Sequence, residues 1–306
     1  MTGLLLLSRR SVAAVLGGLL LFLALDLPAA AKEQRVHGQG RLFKVTAAGV
    51  SPSHVFATMH ATDPDVLHIP PPVARAFDAS TRVLLELVAT PGIEARMAEA
   101  MLLPDGASLA EVAGPEIYAK LLRRAAVYGL PAKQVNRFRP WAAALIFSVP
   151  VSELDRAASG VMALDRSLQQ AADARGTKVF GLETIDEQIA MFSDMPEPEQ
   201  IVSLGLTLDL NPNIDALFAE MKQAYIAGDL DKLHAMSLSM LGNNVDLVES
   251  FEKRFIEMRN RRMVERMARH VNQGGAFVAV GALHLSGENG ILRLLEKRGY
   301  KVSRVY

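Results

Sequence analysis

Cysteine is absent from this 306-residue chain. That excludes disulfides, a thiolate nucleophile and a cysteine-ligated zinc, and leaves no residue on which to build a lipoprotein anchor. Any metal must be held by His, Asp and Glu. A basic surplus is missing too: 33 Lys and Arg face 33 Asp and Glu, a formal net charge of +0. Nothing is available to neutralise a run of phosphates, so no nucleic-acid partner is expected. The chain also contains no HExxH, no GxSxG and no GxxxxGKS/T. An ordinary zincin, the common serine nucleophile elbow and a P-loop nucleotide site therefore have no support.

A long apolar run is also lacking. Residues 12–25 are apolar, about 14 residues, where a bilayer span needs roughly 20. Arg9 and Arg10 precede this run, and Pro28-Ala29-Ala30-Ala31 follows it with small residues. The pattern predicts a cleaved signal peptide over residues 1–31 and a periplasmic or secreted domain over 32–306. A retained N-terminal anchor is the alternative, and the membrane is expected to be met only through this segment. Ser8-Arg9-Arg10 leaves Sec and twin-arginine export both open.

What is present is one pattern, twice. Residues 54–60 read HVFATMH and residues 277–284 read FVAVGALH. Each is an apolar strand-like run, a small residue (Ala57, Gly281), two more residues and a histidine. A helical stretch and a second apolar run follow each, at 82–88 and 300–305. Two such units can meet as adjacent strands, so that His60 and His284 face one pocket at the strand ends, where open α/β sheets gather ligands. The expected fold class is α/β, a mixed sheet built from N- and C-terminal strand–GxxH–helix–strand units. A helical middle is predicted between them, with helices over 93–103, 108–113, 115–128, 139–147, 161–175 and 214–227. Ser108 and Glu111 have capping-box spacing. Residues 178–183 read as a short strand, and 251–271 as the longest helix, with Arg259, Arg262 and Arg266 together on a solvated face.

Two carboxylates stand out. Glu86 interrupts the apolar strand Val83-Leu84-Leu85-Glu86-Leu87-Val88, a costly position unless it is paired or coordinating. Glu183 ends the strand KVFGL, where capping the helix that begins at Thr184 competes with a site role. Asp165 reads as a surface or capping residue, and His54, His68, His234 and His270 as structural. Arg259 could serve a carboxylate or a developing oxyanion.

Taken together these residues resemble the TraB/GumN/Tiki family, which includes the pheromone-shutdown protein of conjugative plasmids. The matching elements are Ala57-Thr58-Met59-His60, Leu85-Glu86-Leu87, Gly181-Leu182-Glu183-Thr184 with Gln188, Arg259-Asn260, and the terminal GAxHLxGxxG…LLxxxGY from Gly281 to Tyr300. The resemblance, strongest to the secreted bacterial GumN-like branch, spans essentially all of residues 32–306. It implies an erythromycin-esterase/ChaN-like fold in which His60, Glu86, Glu183 and His284 bind a divalent metal (Mn, Co or Zn). Glu86, Glu183 and Arg259 would be catalytic. Animal Tiki members are described as metal-dependent proteases, which implies a metallopeptidase with a peptide or protein substrate. Haem or peptide binding without turnover, or a part in polysaccharide export, are the other implied roles. Ala57 departs from the motif's glycine, and a positive φ at that position would disfavour it. Substrate, metal identity and oligomeric state stay open at this level.

Overall fold

The computed structural model describes residues 35–306, so the expected signal peptide at 1–31 lies outside the described residues. Six strands form one mixed sheet: β1 Leu42–Thr46, β2 Ser53–Thr58, β3 Arg82–Leu85, β4 Lys178–Gly181, β5 Ala276–Gly281 and β6 Lys301–Arg304. Their order is β4-β3-β5-β2-β1-β6. The pairs β4–β3, β3–β5 and β5–β2 are parallel, while β1 runs antiparallel to both β2 and β6. The four parallel strands therefore end at one edge.

Sequence explains which strands are central. β5, AFVAVG, is an unbroken apolar run buried along five of its six residues. A parallel strand covered on both faces needs that composition. β4 (KVFG) and β6 (KVSR) begin with lysine and are partly exposed, as suits sheet edges. The two histidine units do lie side by side, because β2 pairs with β5. Their register is offset by one residue: Ala57 faces Val280, and Thr58 faces Gly281.

The helical middle is split by β4, with helices between β3 and β4 and again between β4 and β5. The predicted breaks at 113–115 form a kink within Leu109–Val127, where Gly114 takes φ 76°, and Ser108 caps that helix as expected. Residues 251–271 prove to be part of a longer element. A helix over Val245–Phe251 runs through a π-helical segment, Glu252–Glu257, into Met258–Val271. Helices Val151–Ala158 and Leu230–Ser239 are additional to those expected; the first is strongly amphipathic and the second only weakly so. Among the described residues no helix is long and apolar enough to cross a membrane.

Candidate functional site

Glu86 and Glu183 follow the last residues of β3 and β4 at the shared carboxyl edge. β5 extends two residues past the partner of Leu85, which is Ala279. The Gly281 N–H consequently reaches over to donate to Glu86 Oε1 at 2.6 Å. A Cβ at position 281 would stand 3.1 Å from that same oxygen. This explains the glycine. Its φ is −53°, so the position needs room and not a left-handed backbone. Ala57 sits in regular strand on the opposite face by register, and it therefore costs no strain; the expected φ penalty does not arise.

Arg259 comes down from the start of Met258–Val271 between the two carboxylates. Its Nη2 donates to Glu86 Oε2 and to Glu183 Oε2, each at 2.6 Å, and its Nε donates to Glu183 Oε1 at 3.0 Å. Arg259 and Glu183 are 3% and 5% exposed, so this is a buried charge network and not the solvated face expected for the arginine row. Gln188 adds an amide donor to Glu183 Oε2 at 3.3 Å. Arg259 Nη1 is buried and has no partner among the described residues. Arg266 does keep an outer position, paired with Glu187 at 2.7 Å.

The histidines are held differently. His284, fully buried, lies with Nδ1 2.7 Å from Asn260 Oδ1, while Asn260 Nδ2 donates to the Asn289 carbonyl at 2.8 Å. Since Asn260 presents an acceptor there, the imidazole proton resides on Nδ1. Nε2 is left with a lone pair, 3.7 Å from Glu86 Oε1. His60, more exposed, places Nδ1 2.9 Å from Asp165 Oδ2, and Thr58 Oγ1 donates to Asp165 Oδ1 at 2.8 Å. Asp165 is thus no surface residue. It ties the strand end of β2 to the histidine two residues beyond.

Electrostatics follow from these contacts. Burial pushes Glu86 upward, but Arg259, His284 and the Gly281 N–H outweigh it and hold the carboxyl below its ordinary range. Asp165 is likewise lowered, burial being outweighed by His60 and Thr58. Burial, reinforced by Arg259, pulls His284 down to about 4 against the opposing glutamates. The two carboxylates raise Arg259 well above its ordinary value. At neutral pH Glu86 is therefore a carboxylate, Arg259 a guanidinium and His284 a neutral imidazole.

The donor chemistry suits a divalent ion in part. Both imidazoles anchor Nδ1 to an oxygen, the arrangement that orients metal-ligating histidines. Among the described residues, however, no three His, Asp or Glu side chains converge closely enough to hold a metal as they stand. His284 Nε2 and Glu86 Oε1 lie 3.7 Å apart, while Glu183 is occupied by Arg259.

A model of the TraB/PrgY/gumN family matches residues 41–304. The chain belongs to that family. It is similar to Metalloprotease TIKI1 of Danio rerio, 25% identical over 82% of this chain and 60% of the relative. Metalloprotease TIKI2 of Xenopus tropicalis is 25% identical over 82% and 57%, and Metalloprotease TIKI1 of Homo sapiens 25% over 82% and 59%. The chain thus spans about 60% of the length of these relatives. No solved structure matches it significantly.

In this TraB/PrgY/gumN protein the supporting residues were the ones hardest to foresee. Asn260 could be suspected only as Arg259's neighbour, and Asp165 has no local signal at all. The loop after His284 is also clamped from far away in sequence. Arg35 Nη2 donates to the Ser286 carbonyl at 3.0 Å, and the Gly287 N–H donates to the Val36 carbonyl at 2.8 Å. A Cβ at Gly287 would collide with the Arg35 guanidinium. Arg35→Ala is expected to cost about 1–2 kcal/mol and to raise amide exchange across residues 285–290 about tenfold. Hydrogen exchange followed by mass spectrometry checks this; unchanged protection there would show that the clamp is idle.

Proposed function

We infer that this protein is an exported metal-dependent hydrolase that cuts peptide bonds. The observation that carries the reading is the buried cluster of His284, Glu86, Arg259 and Glu183 at the carboxyl ends of the adjacent parallel strands β5, β3 and β4. Burying this much charge is costly, and such clusters gather at sites whose chemistry uses them. The metalloprotease relatives support the reaction class. Residues 1–31 act as the export signal, and residues 32–306 as the periplasmic or secreted domain.

His284 Nε2 and Glu86 Oε1 would hold the ion, with His60 Nε2 joining them only after a shift of side chains, since the three do not converge as they stand. Mn, Co and Zn all accept imidazole and carboxylate. When bound, the ion supplies an acidified water and polarises a carbonyl. The protein's own part is orientation and charge. Asn260 and Asp165 keep the protons on the two Nδ1 atoms, so each Nε2 stays a donor of its lone pair. Glu183 is the fixed counter-ion that keeps Arg259 in place. Arg259 Nη1, free of other partners among the described residues, is the donor for negative charge developing on the substrate oxygen.

Metal content is the direct test. The purified protein, dialysed against Mn, Co or Zn at neutral pH, is expected to retain one ion per chain. His60→Ala/His284→Ala is expected to retain none while its circular dichroism is unchanged. Failure of the parent protein to hold any of these ions would overturn the reading in favour of a binding or scaffolding role.

A further inference from the structure

Phe192 and Phe255 stand between the charged cluster and a second feature of the molecule. Their rings meet with centroids 5.2 Å apart at 63°. Each lies four residues along its helix from a partner of Glu183: Gln188 precedes Phe192, and Arg259 follows Phe255. Four residues rise about 6 Å, roughly one turn. On two separate helices, then, the aromatic pair is one turn from the cluster. Both rings also line a half-open cleft with Trp141, Leu247, Ser203 and Ser250, with a cavity volume of about 50 Å³. Trp141 stacks on Phe192 at 5.2 Å and 14°. Phe255 is presented by the π-helical segment Glu252–Glu257, a distortion common at functional sites.

The cleft has the chemistry of a side-chain pocket. Its walls are aromatic and aliphatic apart from two half-buried serines, Ser203 and Ser250. Trp141 is 2% exposed, and its Nε1–H has no partner among the described residues; a peptide carbonyl would satisfy that donor. Ser250 Oγ donates to Glu199 Oε2 at 3.0 Å. A carboxylate beside the mouth disfavours a fatty acid's anionic head and leaves a neutral chain as the better occupant.

We propose that this cleft is the subsite for a large apolar side chain (leucine, methionine or phenylalanine) of the peptide substrate, next to the bond presented to the charged cluster. The assignment rests on the hydrolase reading above. It gives that hydrolase a preference for apolar residues beside the cut.

Trp141 is the single tryptophan of the chain, so its fluorescence reports occupancy without turnover. The purified protein is titrated with N-acetyl-leucinamide, N-acetyl-glycinamide and laurate, and separately given a randomised peptide library with each candidate metal. Leucinamide should give a saturable change and glycinamide none. Peptides with Leu, Met or Phe beside the cut bond should exceed glycine peptides in kcat/KM by at least about tenfold. Ala144→Phe fills the cleft, and Ser250→Phe blocks its half-buried mouth in case the first variant overpacks the core. Each should abolish the leucinamide response and shrink the apolar preference to within about threefold. A response to laurate alone, cleavage without apolar preference, or a preference that survives both variants would overturn the subsite. A leucinamide response lost in both variants, in a protein that cuts no peptide with any metal, would keep the cleft as a peptide side-chain site and overturn the hydrolase reading instead.

Discussion

Arg259→Leu is expected to destabilise the protein by about 3–5 kcal/mol, the usual consequence of removing one partner from a buried ion pair. Two carboxylates depend on this guanidinium, one of them 1% exposed at its side chain. Without it Glu183 is left buried with the Gln188 amide at 3.3 Å and the Arg262 guanidinium no closer than 4.0 Å. The loss corresponds to a fall in Tm of about 10 °C for a chain of this size. Arg259→Lys should recover only part of it, since a single ammonium cannot reproduce contacts to Glu86 and Glu183 at once. Glu183→Gln in the Arg259→Leu background should restore about half, because the neutral amide no longer carries an unpaired buried charge. Urea denaturation of the four proteins checks the series. An Arg259→Leu variant within about 1 kcal/mol of the parent would mean that the network is solvated in solution.

The second large effect is on acid stability. His284 has its pKa lowered from 6.5 to about 4 by burial and then by Arg259. Between those values the unfolded chain binds a proton that the native state refuses, so stability rises with pH across the window and is lost as pH falls. The loss from this one group approaches about 3 kcal/mol at pH 4, taking 1.36 kcal/mol per pKa unit. His54 and His270 are also lowered, chiefly by burial, and act in the same direction from less buried sites. Glu86, lowered in the native state, adds its own loss only at still lower pH. Denaturation midpoints measured from pH 7 to pH 4 in chelator should therefore fall steadily. His284→Gln should flatten most of the slope above pH 4.5, and an unaltered slope in that variant would assign the acid sensitivity elsewhere.

Much of the site's placement was legible because the relevant signals are local. An apolar run ending in a small residue and a histidine marks a strand and its end, and the pattern occurs twice, around His60 and His284. Glu86 was conspicuous as a carboxylate inside an apolar run read as strand over 82–88, of which only Arg82–Leu85 is strand, and Glu183 as the carboxylate that ends KVFGL. Burial of the two central strands, and exposure of β4 and β6 with their leading lysines, also follow from composition. The π-helical segment was not legible. Its apolar spacing reads as ordinary helix, and hydrogen-bond slippage leaves no mark in the side-chain pattern.

Local pattern alone determined that this chain forms a mixed α/β sheet and which histidines and glutamates stand near its strand ends, although it carried β3 beyond Leu85 and β4 beyond Gly181. It could not decide which of three arginines on one helix is buried, because Arg259, Arg262 and Arg266 differ only in their angle to a sheet that periodicity does not locate. Nor could it assign Asp165 to His60 or Asn260 to His284, since both partnerships cross large separations in sequence. The one-residue offset between β2 and β5 has the same origin. Register depends on how the strands meet, and only packing sets it. Close approach through space, and not backbone conformation, is what made Gly281 necessary and Ala57 harmless.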